Sequence, residues 1–579
     1  MAARRAARAA SPIRTRLLVV GLALVLAWLG LGYRLIQVQV VRAAEYAERG
    51  LAQRLTRKTV APTRGKIFDR NGDPLAMTVE AKSIYAVPDE VDDPLLTAQE
   101  VALRTGGDTV ELLEALESGR DFVYLARQVE LDIAQQIEAL DLPGVFSHPE
   151  SKRVYPAGTV AAQVVGVADI DGNGIEGLEY TYDSVLRGTP GELVLEQDPG
   201  GRVIPLAPRS IEPAIPGEDL LTSLDLPLQY TAQSTCVDTL ERTGARQCWI
   251  VVLDAETGGV LAMAGAPTYD PELRRASDGG SFSNFAVRDM YEPGSTQKLI
   301  TVSAALDTGV ADLDTIIPDV GDTYEVTPGA CRSDEDDIYG CFRDFSPHET
   351  RSMTVREIFT VSSNVGTIKI QERIPRDTLV EYMRRFGQGA PTGIDYPGEA
   401  SGAIGIDPGC SSCWASAAIG YSVAVTPLQM AAAYAAVAND GIWTRPHLVT
   451  GRIDVDGEVT PVVPETRRVV SEGTAWVMRA LLADVVASGT GKAASVPGYR
   501  VGGKTGTADK YGPNGYTEET IASFVGMAPI DDPKIVVAVV VDSPLPEFST
   551  GGRAAAPAFS VVMEAALHRL GVTPDGIEG

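Results

Sequence analysis

One uncharged apolar run near the start of the chain constrains its architecture more than any other feature. Residues 17–33 (LLVVGLALVLAWLGLGY) carry no charged side chain, and Leu35-Ile36 extends the run past Arg34. A bilayer core needs about 20 apolar residues, so a segment of this length can span it. Residues 1–16 hold five arginines and no acidic residue, which predicts a cytoplasmic N-terminus. Since no second run of this kind follows, the rest of the chain is expected outside the cytoplasm.

A cleaved secretory signal is the alternative interpretation of the same run. No small-x-small cleavage site follows it directly, which favours an uncleaved anchor at residues 17–41 behind a cytoplasmic tail of residues 1–16. The protein is therefore expected in the cell membrane, as a single-pass chain whose bulk lies on the outer side.

Six cysteines are compatible with an oxidising compartment. They fall into three pairs that are close in sequence, which suggests three disulfides, although other connectivities are possible. The Cys410-Ser-Ser-Cys413 motif also fits half a zinc site or a redox pair, but neither a second CxxC motif nor a nearby histidine supports zinc. We therefore expect no metal. The three pairs are Cys236 with Cys248, Cys331 with Cys341, and Cys410 with Cys413.

Composition and charge exclude one class of partner. The formal net charge is −27, whereas a phosphate-binding surface needs clustered lysines and arginines, so a nucleic-acid partner is not expected. Of the 579 residues, 44% are hydrophobic and 22% are charged, which is the balance of a globular protein long enough for several domains.

Two modules are predicted after the anchor, separated by the stretch EPAIPGED at 212–219. Residues 42–215 begin with a predicted helical stalk at 43–60 and then mix short strands with amphipathic helices. They contain no combination of a nucleophile and a base, which indicates a non-catalytic module. Residues 216–575 are predicted to contain a helix at 226–242, a hairpin, a helical middle, closing strands and a last helix near 556–569. This order predicts an α+β fold with a mainly antiparallel sheet flanked by helices.

The first of three polar motifs in the second module is Ser295-Thr-Gln-Lys298. If Ser295 opens a helix after Pro293-Gly294, the hydroxyl and the amine share one helix face. The lysine amine can then activate the serine hydroxyl, provided that burial or a second cation lowers the pKa of the lysine. Taken alone the motif is weak evidence, because any serine three residues before a lysine matches it.

The second motif, Ser362-Ser-Asn364, interrupts the otherwise helical pattern VREIFTVSSNVGTIKI. A hydroxyl and an amide at this spacing could relay a proton and hold a substrate amide, although a helix cap or kink explains the motif alone equally well.

The third motif is Lys504-Thr505-Gly506-Thr507, on a predicted strand. Alternation along a strand directs both threonines to one face, where they could receive a carboxylate beside the charge of Lys504. Gly506 leaves room for a close approach of another backbone.

In this order the motifs match the signature S-x-x-K, S-x-N and K-T-G of penicillin-recognising serine enzymes. The chain resembles a class B penicillin-binding protein from the anchor to about residue 570. Tyr291-Glu-Pro-Gly294 and the SSNVG segment at 362–366 look more like the septal, or division, type than the elongation type. The other segments that carry the resemblance are RGKIFDRNG at 64–72, GIEGLE at 174–179, VVLDAETGGVLAMAGAPTYDP at 251–271, TGIDYPGE at 392–399, VTPLQMAAAYAAVANDG at 425–441 and SFVGMAPIDDP at 523–533.

The resemblance implies a peptidoglycan D,D-transpeptidase that cross-links stem peptides during septal cell-wall synthesis and that β-lactams acylate. Ser295 would be the nucleophile and Lys298 its base. Ser362 with Lys504 would pass a proton to the departing D-alanine, and Asn364 would bind the backbone of the donor peptide.

By the same resemblance, Thr505, Gly506 and Thr507 would bind the substrate around its terminal carboxylate. The backbone N–H groups of Ser295 and Thr507 would form the oxyanion hole. Residues 42–215 would be an elongated pedestal of the dimerisation type. The implied partners are the membrane, a polytopic glycosyltransferase and other division proteins, and no cofactor is implied. Asp509 departs from the family, where many relatives have an amide, and it is expected to tune the site.

Several alternatives remain open at this point. An elongation-type transpeptidase would carry the same motifs, and so would a β-lactamase, although the anchor and the additional module argue against the latter. A β-lactam sensor would need a cytoplasmic output domain, and only about 16 residues are predicted inside. A division scaffold with little catalysis would be expected to lack some of the catalytic groups.

Overall fold

The computed structural model describes residues 11–196, 210–272, 275–276, 284–332, 340–407, 409–512 and 515–575, so most of the predicted cytoplasmic tail lies outside it. The chain forms two compact units. The first comprises Met1–Pro62 with Thr189–Ile215, and the second comprises Thr63–Gly188 with Pro216–Gly579. The division at residue 216 between a pedestal and a second domain stays a prediction.

The first unit contains the apolar helix Ser11–Ile36, which continues through a π-helical turn at Gln37–Val41. Its stretch Ile13–Val41 is 29 residues long and apolar enough to cross a membrane, and none of its most apolar window is buried in the protein. Among the described residues, it is the one helix that is long and apolar enough to cross a membrane, as expected for a single-pass anchor. A second helix, Ala43–Arg54, follows.

The predicted stalk helix at 43–60 is wrong over its last six residues. Leu55–Val60 is a strand that pairs antiparallel with Gly191–Glu196, which in turn pairs with Ser210–Glu212. Thr56, Thr59 and Val60 are β-branched and favour a strand. The partner strand lies more than 130 residues away in sequence, so a local helical pattern could not predict this pairing.

The second unit begins with a seven-stranded sheet whose longest strand is Pro74–Ala86. One face of the sheet around this strand packs against helices Pro94–Thr105, Thr109–Leu116 and Leu131–Glu138, with a separate apolar core between sheet and helices. The other strands of the sheet are Val459–Pro461, Val449–Ile453, Asp219–Thr222, Ile67–Phe68, Val123–Val129 and Val145–Val154.

A five-stranded antiparallel sheet forms the centre of the second unit. Helices Leu226–Thr243 and Gly551–Arg569 pack on one face, and Pro427–Ala438 packs on the other. Helices on both faces explain why the middle strands are apolar almost throughout. The α+β fold with an antiparallel sheet flanked by helices is thus confirmed. In spatial order the strands are Val260–Ala266, Gln247–Asp254, Ile535–Asp542, Gly515–Ala528 and Gly502–Gly512.

Shorter elements complete the described part of this unit. The remaining α-helices are Ala162–Val165, Gly177–Thr181, Asp183–Leu186, Phe285–Arg288, Lys298–Asp307, Val355–Val361, Asn364–Gln371, Arg376–Arg385, Ser411–Ile419 and Glu472–Ala487. Turns of 3₁₀ helix lie at Pro88–Glu90, Gly294–Gln297, Ala330–Arg332, Lys492–Ala494 and Pro546–Phe548. The two-stranded ladders pair Tyr269–Asp270 with Arg275–Ala276, Ile316–Val320 with Arg351–Thr354, Thr323–Glu325 with Cys341–Arg343, Ala403–Ile404 with Val423–Ala424, and Ile442–Thr444 with Thr466–Arg468.

Two of the three expected disulfides are confirmed: Cys331–Cys341 and Cys410–Cys413. The third is not formed, because Cys236 and Cys248 are free thiols buried in the core between the central sheet and its flanking helices. Burial, together with contact with Cys248, raises the pKa of the Cys236 thiol. The two thiols lie in hydrogen-bond contact inside this apolar core without an S–S bond.

Candidate active site

Ser295 lies in the 3₁₀ turn Gly294–Gln297, which runs directly into the helix Lys298–Asp307. The three-residue spacing in this turn puts Lys298 on the helix face that carries Ser295. Ser295 is partly exposed, whereas Lys298 is completely buried. This arrangement leaves the hydroxyl open to a substrate and keeps the amine away from water.

The Ser295 turn packs against the strand that carries the third motif. Gly294 has a left-handed φ of +53°, and a Cβ there would lie 2.5 Å from the carbonyl oxygen of Thr507. A Cβ on Gly506 would lie 2.8 Å from the carbonyl oxygen of Pro293. Glycine is therefore required on both sides of this contact, which brings Ser295 next to the predicted carboxylate-binding threonines.

Ser362 occupies a sharp turn between two helices. Val355–Val361 ends at Ser362, whose φ is +63°, and Ser363 caps the next helix by accepting a hydrogen bond from Gly366 N at 2.9 Å. A left-handed residue that is not glycine is uncommon and points to a local requirement. Here the turn directs the Ser362 hydroxyl between the two predicted catalytic lysines.

The two lysines meet at this hydroxyl. Lys504 Nζ lies 2.9 Å from Ser362 Oγ, and Lys298 Nζ lies 3.3 Å from the same atom. Lys298 Nζ also donates to Ser362 O at 2.7 Å and to Asn364 Oδ1 at 2.6 Å. The first and second motifs and the lysine of the third therefore share one hydrogen-bond network.

Burial controls the charge of both amines. Both side chains are completely buried. Burial lowers the pKa of Lys298 to about 7, opposed by the nearby carboxylate of Asp344. The pKa of Lys504 is also lowered well below its usual value, first by burial and then by the positive charge of Lys298. A neutral amine at near-neutral pH can accept a proton, which an ordinary lysine cannot do.

Asn364 is held by a residue that the sequence did not single out. Asp344 Oδ1 accepts hydrogen bonds from the backbone N–H groups of Asn364 at 2.5 Å and Val365 at 2.9 Å. Its other oxygen lies 3.0 Å from His348 Nε2. The Asn364 side chain also donates from Nδ2 to Arg343 O at 2.8 Å. In the sequence, the only local sign that Asp344 supports Asn364 is the four-residue spacing between Asp344 and His348.

Thr505 and Thr507 face the start of the helix Gly551–Arg569. Thr507 Oγ1 accepts a hydrogen bond from Gly551 N at 3.2 Å. The hydroxyl of Thr505 lies 2.8 Å from that of Thr490. Thr490 belongs to the segment GTGK at 489–492, which resembles a phosphate-binding loop only superficially. Thr490 is thus a second residue that sequence reasoning missed. The hydroxyls of Thr505 and Thr507, beside the positive N-terminal end of the helix Gly551–Arg569, favour a bound carboxylate.

Asp509 lies two residues beyond Thr507 on the same strand, and its side chain is largely exposed. Partial desolvation by its neighbours raises the pKa of its carboxyl. Across the described part of the chain, no group of three or more His, Cys, Asp and Glu residues is placed to hold a metal ion.

Comparisons with known proteins agree with this geometry. The family model described as "Penicillin binding protein transpeptidase domain" matches residues 248–564, more than half of the chain. The one described as "Penicillin-binding Protein dimerisation domain" matches residues 59–222.

Two relatives align over nearly the whole chain. Penicillin-binding protein PbpB of Mycolicibacterium smegmatis is 34% identical, with 94% of this chain and 88% of the relative covered. Peptidoglycan D,D-transpeptidase FtsI of Escherichia coli is 33% identical, with 94% and 90% covered.

The fold is also similar to a crystal structure of penicillin binding protein 3 from Mycobacterium tuberculosis, complexed with aztreonam. The TM-score is 0.70 at 29% sequence identity, and the match covers 90% of this chain and 98% of the other. By its motifs, their geometry and these matches, this chain belongs to the class B penicillin-binding proteins.

Proposed function

We propose that this protein is a septal peptidoglycan D,D-transpeptidase that cross-links stem peptides through an acyl-enzyme on Ser295. One observation carries the proposal: the hydroxyl of Ser362 lies within 3.3 Å of both Lys298 Nζ and Lys504 Nζ, next to the turn that bears Ser295. A buried pair of amines around a hydroxyl is suited to proton transfer. Relatives named as D,D-transpeptidases, one of them the division-type FtsI, support the same conclusion.

In the acylation step, Ser295 Oγ attacks the carbonyl carbon between the last two D-alanines of a donor stem peptide. The neutral amine of Lys298 takes the hydroxyl proton. The proton taken by Lys298 then passes through Ser362 and Lys504 to the departing D-alanine nitrogen as the C–N bond breaks, which returns Lys298 to its neutral form. The products are free D-alanine and an ester between the peptide and Ser295. General acid–base assistance of this kind typically contributes about 10²–10⁴ in rate.

The third motif positions the donor for that attack. Thr505 and Thr507, beside the start of the helix Gly551–Arg569, hold the terminal carboxylate. Asn364 binds the peptide backbone. The N–H groups of Ser295 and Thr507 stabilise the developing oxyanion, and losing one such donor typically costs about 10²–10³ in rate.

An amine from a neighbouring stem peptide completes the reaction. It attacks the ester carbonyl, its proton passes back through the lysine–serine network to Ser295 Oγ, and a new amide cross-links the two peptides. A β-lactam enters at the first step, since its ring carbonyl is attacked in the same way and the ring opens. Because its leaving group stays attached, the ester persists.

The test is to label the full-length protein, in detergent, with a fluorescent penicillin. Ser295→Ala is the test variant, and Ser303→Ala is the matched control, because Ser303 is buried on the adjoining helix. Label resistant to denaturation is expected on the parent and the control, and none on Ser295→Ala. A folded parent that takes no label would leave the scaffold function as the better explanation. Rapid loss of label would indicate a β-lactamase.

Location and role in the cell follow from the same proposal. In the proposed topology, the arginines before the anchor Ile13–Val41 keep the N-terminus in the cytoplasm, and the residues beyond the anchor lie outside. The span and residues 42–215 are then available to a polytopic glycosyltransferase and other division proteins. Protease added to intact spheroplasts should digest residues beyond 42 and spare an N-terminal tag. A fluorescent fusion should collect at the septum, whereas an elongation enzyme would follow the side wall.

A further inference from the structure

The segment that leads into the nucleophile is Tyr291–Gly294, and its backbone is fixed on one side. Tyr291 and Val425 exchange two backbone hydrogen bonds, each of 2.9 Å. Gly294 N donates to Gly420 O at 3.1 Å, and a Cβ on Gly420 would lie 2.0 Å from Gly294 O. The segment is therefore in close contact with the backbone of residues 420–425.

Its other side faces the strand Gly502–Gly512. Pro293 and Gly294 approach Gly506 and Thr507 so closely that a Cβ on either glycine would overlap a backbone oxygen. The segment therefore lies between two elements that are distant in sequence. Small shifts of either element would move Ser295 relative to the carboxylate-binding threonines.

Glu292 connects its own segment to residues 420–425 and to the strand that pairs with Gly502–Gly512. Its Oε1 accepts a hydrogen bond from Ser422 N at 2.7 Å, and Tyr516 donates its hydroxyl hydrogen to Oε2 at 2.9 Å. Ser422 has a left-handed φ of +59°, so the carboxylate binds an N–H group in a constrained turn. Tyr516 lies on the strand Gly515–Ala528, which pairs with the strand of the third motif.

The tyrosine end of this connection is itself held in place. The ring of Tyr516 packs edge-to-face against Tyr421 at 5.9 Å and against Tyr511 at 5.2 Å between ring centroids. Among the described residues, no lysine, arginine or histidine forms an ion pair with Glu292. Burial raises the pKa of Glu292, although both hydrogen bonds favour its charged form. A carboxylate kept in this environment without a cation needs another explanation than charge pairing.

We infer that Glu292 is a positioning residue for the transpeptidase reaction: it holds the Ser295 turn in register with the strand Gly502–Gly512, so that nucleophile and carboxylate-binding hydroxyls meet one substrate. The inference rests on the proposed function, because it concerns the geometry of acylation at Ser295. Glu292 acts through Ser295 and takes no part in bond making. A misplacement of about 1 Å at such a site can cost about 10²-fold in rate.

The experiment compares three variants of the full-length protein in detergent. Glu292→Ala removes both hydrogen bonds. Glu292→Gln keeps an acceptor for Ser422 N and a donor for the Tyr516 oxygen. Tyr516→Phe removes only the hydrogen bond between Glu292 and the strand Gly515–Ala528. Glu399→Ala is the matched control, since Glu399 also accepts backbone N–H hydrogen bonds, at Thr392 and Gly393, in another turn of the same unit. Acylation by a fluorescent penicillin is resolved into the binding constant and the rate constant of the covalent step.

We expect Glu292→Ala to lower the covalent rate constant about 10²-fold with little change in binding. Glu292→Gln should recover most of that loss, and Tyr516→Phe should fall between the two. Glu399→Ala should lower the unfolding temperature without changing the covalent rate constant. The inference would be overturned if Glu292→Ala were acylated at the parent rate. If Glu292→Ala does not fold, acylation of Tyr516→Phe at the parent rate would overturn it instead. Equal losses in Glu292→Ala and Glu399→Ala would also overturn it. An unlabelled parent would instead refute the proposed function.

Discussion

At the scale of single residues, the site depends on how two buried lysines share one hydroxyl. Lys298 and Lys504 both approach Ser362 Oγ within hydrogen-bond distance. Two ammonium ions this close repel each other, and burial removes the water that would otherwise stabilise them. Burial lowers the pKa of both lysines, and the positive charge of Lys298 lowers the pKa of Lys504 further. A neutral amine is thereby available as a base.

This charge state predicts the pH dependence of acylation. Lys298 must be neutral to act as base, and its pKa is lowered to about 7. The rate of acylation by penicillin should therefore rise about tenfold per pH unit below that value and level off above it. The second-order rate constant, measured from about pH 5.5 to about pH 8.5, checks this. The unfolding temperature, followed over the same range, controls for loss of structure. A flat rate profile would mean that Lys298 is not the base.

At the scale of secondary-structure elements, the start of the helix Asn364–Gln371 organises the second motif. Asp344 binds the first two N–H groups of this helix, and an anion at a helix N-terminus is stabilised by the helix dipole. Asp344 follows the strand Cys341–Arg343, which the disulfide Cys331–Cys341 joins to the preceding turn. The helix that carries Asn364 is thereby connected to a loop that contains no catalytic residue.

Two substitutions separate the structural and electrostatic effects of Asp344. Asp344→Ala loses the hydrogen bonds to the N–H groups of Asn364 and Val365 and should destabilise the protein by about 2 kcal/mol. Asp344→Asn keeps one acceptor oxygen and should be close to the parent in stability. Both remove the negative charge that raises the pKa of Lys298, so the midpoint of the acylation profile should move to lower pH in both. Thermal unfolding and the pH profile are the two measurements. An unchanged midpoint in Asp344→Asn would contradict the electrostatic effect.

At the scale of the whole molecule, a buried ion-pair network joins distant parts of the second unit. Glu179 is completely buried between Arg64 and Arg153, with N···O distances of 2.6 and 2.7 Å. Arg64 also pairs with Asp183 at 2.8 Å, and Arg153 donates to Gly65 O at 2.7 Å. Both guanidinium groups are buried; Arg64 has a second carboxylate partner in Asp183, whereas Arg153 relies on Glu179.

Glu179→Ala should therefore be strongly destabilising. Removing one partner of a buried ion pair leaves an uncompensated charge and typically costs about 3–5 kcal/mol. Glu138→Ala is the matched control, because Glu138 pairs with Lys82 in a partly exposed position, where such pairs contribute about 0–1 kcal/mol. The thermal unfolding of both full-length variants checks the contrast. Equal, small effects would show that water or a rearrangement satisfies the two arginines.

Much of this protein could be predicted from local sequence. The apolar N-terminal helix was evident from its hydropathy, and the order of three motifs indicated that Lys298, Ser362 and Lys504 belong to one site. Local pairing also indicated two of the disulfides. These features share one physical basis, since hydropathy over a helix length and residue spacing within one turn or strand act among neighbours in sequence.

Tertiary structure decided the rest. Leu55–Val60 is a strand because it pairs with Gly191–Glu196, far along the chain, and Cys236 and Cys248 are buried as free thiols rather than joined. Asp344, Thr490 and the Glu292–Tyr516 hydrogen bond belong to no motif and act only where separate elements meet. The sequence determined which groups are available for catalysis. Only the folded chain determined their charge states and mutual positions, because burial and long-range contacts set both.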